Sequence, residues 1–467
     1  MNIYLYKQYL YFSTISIFCV IVLGYIYTIY AFPSLGSDSG YFLKISYDLA
    51  NGLSFYKDLN CSYTPLVMYF FSIPFYLNKS IGLEFIFTYF LTTYLLIAVV
   101  FYRLSFYFNS NRKINIFFTF LLITIIIKLE GIHILLEPYV LLFQLLAIYC
   151  LYKYQMKNKT LICVGFFVFL SFFSKQYGLF ILPAVLYFIG QKVSNLKQFI
   201  IKCFFLSFGL FMPAIILMIY FYVFKNVNMV DFIYQFIGIP ALVGDELMGN
   251  MNYVFINLLY KLRTIFIKTF PVILILVVFI HVILKNKWNH NNMVALLLFL
   301  GSILTLYFGY YTHYFQLIIP YSILLILSIP PKILKSYFLL LAVLMCFFFK
   351  RSYSELKSTY FYKKEIYASQ KIMTNILKKY LNIGDEVYLE GISPVYYYLS
   401  KYNSTNYKNL GYKYPSELTH KRISKNMNKG SYIILRKNLI TKNEFSTFTK
   451  IGDLESETGA KVFILKK

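Results

Sequence analysis

The chain has 467 residues, of which 59% are hydrophobic and only 14% charged, with a formal net charge of +26. A soluble globular domain carries about 25% charged residues, so this composition excludes an ordinary soluble enzyme and points to a polytopic membrane protein. The positive charge lies in short clusters between apolar runs rather than on one face of a soluble domain, which argues against nucleic-acid binding.

The first apolar run, residues 9–32, is long enough to stay as a membrane span, and no small-residue cleavage motif follows it. Taking apolar runs of helical length as spans predicts eleven: 9–31, 83–104, 114–129, 138–153, 160–174, 177–190, 199–224, 264–284, 293–311, 315–330 and 336–350. The run Leu66–Leu77 is short and carries Pro65 and Pro74, and it reads as an interfacial or re-entrant helix. Charge supports leaving it out. With it excluded, Arg103, Arg112, Lys113, Lys153, Lys157, Lys159, Lys192, Lys197, Lys202, Lys285, Lys287, Lys332 and Lys335 share the side of the N-terminus with no acid, and the positive-inside rule makes that side cytoplasmic. The nine acids before residue 350 (Asp38, Asp48, Asp58, Glu84, Glu130, Glu137, Asp231, Asp245 and Glu246) fall in or beside the opposite connections.

Past Lys350 the hydrophobicity collapses. Residues 351–467 open with a helical pattern and continue with strand-like runs at 386–389, 432–435 and 462–465, with a helix start at Ser393-Pro394. The expected architecture is therefore an all-α polytopic membrane domain over 1–350 and a small α/β domain over 351–467, placed outside the membrane by the odd number of spans. Six cysteines supply no framework. Cys19, Cys150, Cys163, Cys203 and Cys346 lie in apolar runs, Cys61 is alone in its loop, and neither CxxC nor HExxH spacing occurs.

The first outward connection, residues 33–77, is the most informative segment. Asp38 is the first acid of the chain and stands a few residues beyond the first span, which puts it at the bilayer surface. Phe42, Ile45 and Leu49 recur at helical spacing before Gly52, predicting an amphipathic helix lying on the membrane. The acid after the first span, Tyr41, the Gly52 break, the Tyr56-Lys57-Asp58 step and the Thr64-Pro65-Leu66 helix start resemble the first loop of the GT-C superfamily. Those are membrane glycosyltransferases using polyprenyl-phosphate sugars, among them protein O-mannosyltransferases and bacterial lipid A and lipopolysaccharide sugar transferases. The chain departs from the pattern in having Ser39 where mannosyltransferases commonly carry Glu, and Thr64-Pro65 where many bacterial members carry Pro-Pro.

The resemblance implies that Asp38 is the catalytic carboxylate, and Lys57 and Tyr63 of the same loop are substrate-contact candidates. Three further sites lie in outward connections. Glu137 opens a helix at Pro138, with Glu130 and His133 just before it. Lys175 and Gln176 form the Lys-Gln pair that the family often shows, making Lys175 a candidate for the donor phosphate, where a lone lysine could equally be a snorkelling anchor. His313 and Tyr314 resemble a His-Tyr step near the outward end of a late span, and Arg263 is a weaker cation candidate. Asp38, Glu137 and His133 offer oxygen and nitrogen donors for a divalent cation, though their spacing does not require one.

The expected activity is an inverting transfer of a sugar from a polyprenyl phosphate to an envelope glycan, lipid or protein on the outer face of a bacterial plasma membrane. Asp38 acts as base and Lys175 as phosphate partner. The competing readings are a transporter or flippase, which would place ionisable groups near mid-membrane, and an O-antigen ligase or polymerase.

Overall fold

A computed structural model of the chain describes residues 3–238 apart from 60, 62 and 132, residues 290–329 apart from 309–311, residues 338–381, and the strands 387–389, 407–409, 432–436, 449–455 and 461–466. The helices follow the apolar runs. They are α1 (Ile3–Ala31), α2 (Ser37–Ala50), α3 (Leu66–Leu77), α4 (Leu83–Ser105), α5 (Arg112–Ile126), α6 (Glu137–Tyr154), α7 (Asn158–Ser174), α8 (Leu182–Gly190), α9 (Leu196–Ile219), α10 (Met229–Ile233), α11 (His290–Ile303), α12 (Phe315–Leu327) and α13 (Phe338–Tyr380). The expected span 264–284, Arg263 and the Ser393-Pro394 step lie outside the described residues.

Four helical stretches among the described residues are long and apolar enough to cross a membrane: Tyr11–Ala31, Leu83–Ser105, Arg112–Gly131 and Leu196–Phe224. Their outer faces carry large apolar side chains that a soluble protein would bury. Examples are Phe12, Val20 and Leu23 on α1, Leu95 and Val99 on α4, and Phe204, Phe208 and Phe211 on α9. Contiguous apolar surface of this kind is matched by lipid, and the chain is a multi-pass membrane protein. At 1.5 Å rise per residue, α3 spans about 18 Å, short of the roughly 30 Å hydrocarbon core.

The bundle centres on α6, which is buried along most of its length and packs against α4, α7 and α12. Close approach of α7 to α9 depends on two glycines. A Cβ on Gly165 would lie 2.1 Å from the Leu206 carbonyl oxygen, and one on Gly209 would lie 2.0 Å from that of Ile162. Small residues at a helix crossing let backbones meet and supply the packing that lipid cannot drive.

The expected amphipathic helix of the first loop is α2, which begins at Ser37, so Asp38 sits in its first turn. It packs on α3 and carries a buried Lys44–Asp48 ion pair at i,i+4. Burial pushes the Asp48 carboxyl up, against the pull of the Lys44 ammonium beside it. The helix ends where Gly52 takes φ +92°, a left-handed conformation that glycine adopts without strain.

No helix break occurs at residue 350: α13 runs for 43 residues through the point where hydrophobicity collapses. Its solvent-side portion returns to the first loop. Lys363 donates to the Ser34 carbonyl at 3.0 Å, and the Gln370 side chain bonds both the N–H and the C=O of Leu35, at 3.2 and 2.7 Å. Phe32 packs edge-on against Tyr360. Beyond α13, five strands form one sheet of order β2-β1-β3-β5-β4, with β1 (Val387–Leu389), β2 (Tyr407–Asn409), β3 (Tyr432–Arg436), β4 (Thr449–Glu455) and β5 (Lys461–Lys466). The β1, β2 and β3 pairings are parallel, whereas β5 runs antiparallel to both β3 and β4. The apolar runs marked β1, β3 and β5. β2 and β4 escaped because Tyr-Lys-Asn is short and polar and β4 is interrupted by Gly452 and Asp453.

Candidate active site

Glu137 is the centre of the site. It opens α6 with Pro138 behind it, at a helix N-terminus whose dipole favours an anion. Yet it is only 1% exposed, so its charge needs a close partner. Lys175 supplies it, with Nζ 2.6 Å from Glu137 Oε1. The Tyr177 hydroxyl donates to the same oxygen at 2.5 Å. Lys175 stands in the extended residue between α7 and the 3₁₀ turn Gln176–Ile181. That break lets two residues of one short segment, Lys175 and Tyr177, converge on one carboxylate. It depends on Gly178, where a Cβ would lie 2.3 Å from the Ser171 carbonyl. Gln144 braces the turn by donating to the Gly178 carbonyl at 3.3 Å, and Tyr321 in turn donates to Gln144 at 2.8 Å.

The fourth wall comes from the 3₁₀ turn Thr312–Tyr314. Tyr314 places its hydroxyl 3.4 Å from Lys175 Nζ, and the rings of Tyr314 and Tyr177 flank the ammonium at 4.5 and 5.0 Å to their centroids. Aromatic faces stabilise a cation held this way. His313 lies between two acids, with Nε2 3.7 Å from Glu137 and Nδ1 2.8 Å from Glu130. Glu130 ends a π-helical turn, Ile127–Gly131, and has φ +68°. A non-glycine residue in that region is strained, and the backbone is held there by the His133 N–H donating to the Glu130 carbonyl at 2.9 Å and by Gln316 donating to the Leu129 carbonyl at 2.7 Å.

Of the residues singled out from sequence, Glu137, Lys175, His313 and Tyr314 therefore meet in one cluster. Asp38 is half-buried in the first turn of α2 and has no hydrogen-bond or ion-pair partner among the described residues. Its helix start is docked on the loop that leads to Glu137. Ser39 Oγ donates to the Ile134 carbonyl at 3.2 Å and accepts from the Ile134 N–H at 3.0 Å, and Gly36 lies against the His133 ring. Tyr63 packs on Tyr41 and Phe42.

Three of the sequence candidates stand apart from the cluster. Gln176 turns away from the cluster and donates to the Phe236 carbonyl at 3.4 Å; the neighbouring Tyr177 takes its place, because the 3₁₀ turn aims alternate residues at different helices. Lys57 is exposed at the tip of a turn in which the Ser54 N–H donates to Asp58 at 2.7 Å, outside the cluster. Asp38, His133 and Glu137 do not gather into a donor set: among the described residues no group of three or more such side chains could hold a metal ion. Glu137 Oε1 carries an ammonium and a phenol. Tyr177 and Glu130 were visible in sequence as neighbours of chosen residues, but nothing in the spacing showed that they, and not Gln176 or His133, would reach the carboxylate and the imidazole.

No family model and no curated protein matches the sequence. Among solved structures, ArnT from Cupriavidus metallidurans bound to undecaprenyl phosphate is similar over 96% of this chain and 97% of that one, at a TM-score of 0.52 and 9% identity. The chain has the GT-C fold. A second similar structure is the Archaeoglobus fulgidus oligosaccharyltransferase tethered to an acceptor peptide, matched over 97% of this chain and 74% of that one at a TM-score of 0.48 and 12% identity.

Proposed function

We propose that the protein is an inverting glycosyltransferase that moves a sugar from a polyprenyl-phosphate donor to a cell-envelope acceptor on the outer face of a bacterial plasma membrane. The observation that carries this reading is the buried Lys175–Glu137 pair, walled by Tyr177 from one connection and by His313 and Tyr314 from another, in a fold shared with a protein that binds undecaprenyl phosphate. In the reaction the acceptor oxygen attacks the anomeric carbon as the bond from that carbon to the phosphate oxygen breaks. The polyprenyl phosphate leaves with the electron pair, and the acceptor proton passes to Asp38. A phosphate leaving group needs little protonation, so the demands are a base and a fixed cation. Asp38 suits the first, being a carboxylate with no neutralising partner among the described residues. Lys175 suits the second, since Glu137 offsets the cost of burying its charge and the two rings hold it in place. Glu137 itself is engaged by that cation and by Tyr177 and is a poor base.

A transporter would hold its ionisable groups at mid-membrane, whereas this cluster lies at helix ends. The test is the lipid bound to the purified full chain. Mass spectrometry of extracted lipid should find polyprenyl phosphate, or added undecaprenyl phosphate should bind and be lost on substituting Lys175. Absence of both retention and binding would end the reading.

A further inference from the structure

A cavity of about 460 Å³ adjoins the cluster and is lined by none of the site candidates discussed above except Glu130 and His133. It lies between α1, the π-helical turn after α5 and the portion of α13 just past residue 350. Its size falls in the roughly 300–1,000 Å³ range of ligand pockets, but its chemistry is not that of a lipid groove. Most of its lining residues carry polar groups, with hydroxyls from Ser354, Ser358 and Thr359, carboxylates from Glu130 and Glu355, and cations from Lys128 and Arg351, while Ile127, Tyr25, Tyr362 and the side-chain stems add apolar surface.

The charges are arranged to cancel. Lys128 Nζ lies 3.1 Å from Glu355 and donates to Ser352 at 2.9 Å, while Arg351 Nε lies 3.3 Å from the other Glu355 oxygen. With Glu130 on the same lining, two cations face two carboxylates and leave little uncompensated positive charge for a phosphate. What the surface offers instead is a mixture of donors and acceptors at close spacing, which a molecule rich in hydroxyls can satisfy on several sides at once. At the rim, Tyr362 is 57% exposed on the cavity lining and adds an aromatic group of the kind that packs on the C–H surface of a sugar ring. The wall next to the cluster is Glu130, whose Oε2 is 2.8 Å from His313 Nδ1, and His313 Nε2 faces Glu137 in turn. The strained backbone of Glu130 thus puts one carboxylate between the cavity and the buried cluster.

We propose that this cavity is a saccharide site and takes the acceptor glycan, so that the acceptor is a sugar rather than a protein or a simple lipid. Its role as acceptor site rests on the transferase reading above; the binding of a saccharide does not.

The experiment uses the full chain in phospholipid nanodiscs, free of sugar detergents. Saturation-transfer NMR is run with a panel of free di- and trisaccharides of neutral, N-acetylated and uronic composition, and separately with inorganic phosphate. At least one saccharide should receive saturation, and Ser358→Phe, which fills the cavity from an exposed position, and Tyr362→Ala should each weaken it tenfold or more while thermal unfolding stays cooperative. No saccharide signal, a signal that survives both substitutions, or binding by phosphate alone would overturn the site. Displacement of the saccharide by undecaprenyl-phosphate glucose would assign the cavity to the donor sugar and overturn the acceptor role. Binding of undecaprenyl phosphate to the unsubstituted protein is measured alongside. Saccharide binding without it sustains the cavity and sinks the transferase reading, and lipid binding without saccharide binding does the reverse.

Discussion

At the scale of single residues, the two charged candidates should fail differently. Asp38→Asn is nearly isosteric and removes only the ability to take a proton, so it should leave folding and donor binding in place while turnover falls by about 10²–10⁴-fold, the usual worth of general-base help. Turnover assayed with polyprenyl-phosphate sugar and membranes as acceptor source decides this; near-normal rates would end the base assignment. Lys175→Met should cost stability as well as activity. It strands Glu137, which is 1% exposed, as an unpaired buried carboxylate, and breaking a buried pair from one side costs about 3–5 kcal/mol. Adding Glu137→Gln to that variant should recover much of the lost thermal stability without restoring donor binding, because the neutral amide no longer needs a cation. A double variant as unstable as the single one would show that Lys175 is held by something other than this pair.

At the scale of elements, the α7–α9 crossing is the part most sensitive to added volume. A methyl group on Gly165 or Gly209 would sit about 2 Å from a carbonyl oxygen of the facing helix, and backbone has no rotamer by which to give way. Gly209→Ala should therefore sharply lower the yield of monodisperse protein on size exclusion. Gly190→Ala, where the nearest atom would be a Phe199 ring carbon at 3.8 Å, should behave as the unsubstituted chain. Equal yields for the two would mean that the helices separate at little cost. The residues leading into α2 are held in a different way, by polar contacts from α13: Lys363 donates to the Ser34 carbonyl and Gln370 to that of Leu35.

At the scale of the whole molecule, the distribution of charge makes a statement about orientation. With α3 too short to cross, eleven spans would place the N-terminus inside and the β-sheet outside. Reporter fusions after Lys113 and after Lys350 should then signal from opposite compartments. The same compartment for both would show that α3, or a segment among residues 239–289, contributes differently to the count.

What the sequence determined by itself is what depends on composition along the chain. Several helix limits agree with the apolar runs to within a few residues, and α3 matches its run at both ends, because the length of an apolar stretch and its flanking prolines and glycines set where a helix can begin and stop; α13 is the exception, continuing to Tyr380 past the run that ends at residue 350. The gathering of Glu137, Lys175, His313 and Tyr314 was half legible for a related reason: charged and polar residues at the ends of apolar helices, all in connections on one side, are constrained to a common layer. Within that layer the sequence carries no distance information. Only the tertiary structure decided that Tyr177 rather than Gln176 meets Glu137, since this turns on the rotation of a single non-helical residue between α7 and the 3₁₀ turn. Only it joined Glu130 to His313, 183 residues apart, and Gln370 to Leu35, 335 residues apart. Such pairs are selected by how helices pack, and side-chain reach of a few ångströms leaves no trace in a linear pattern read over many residues.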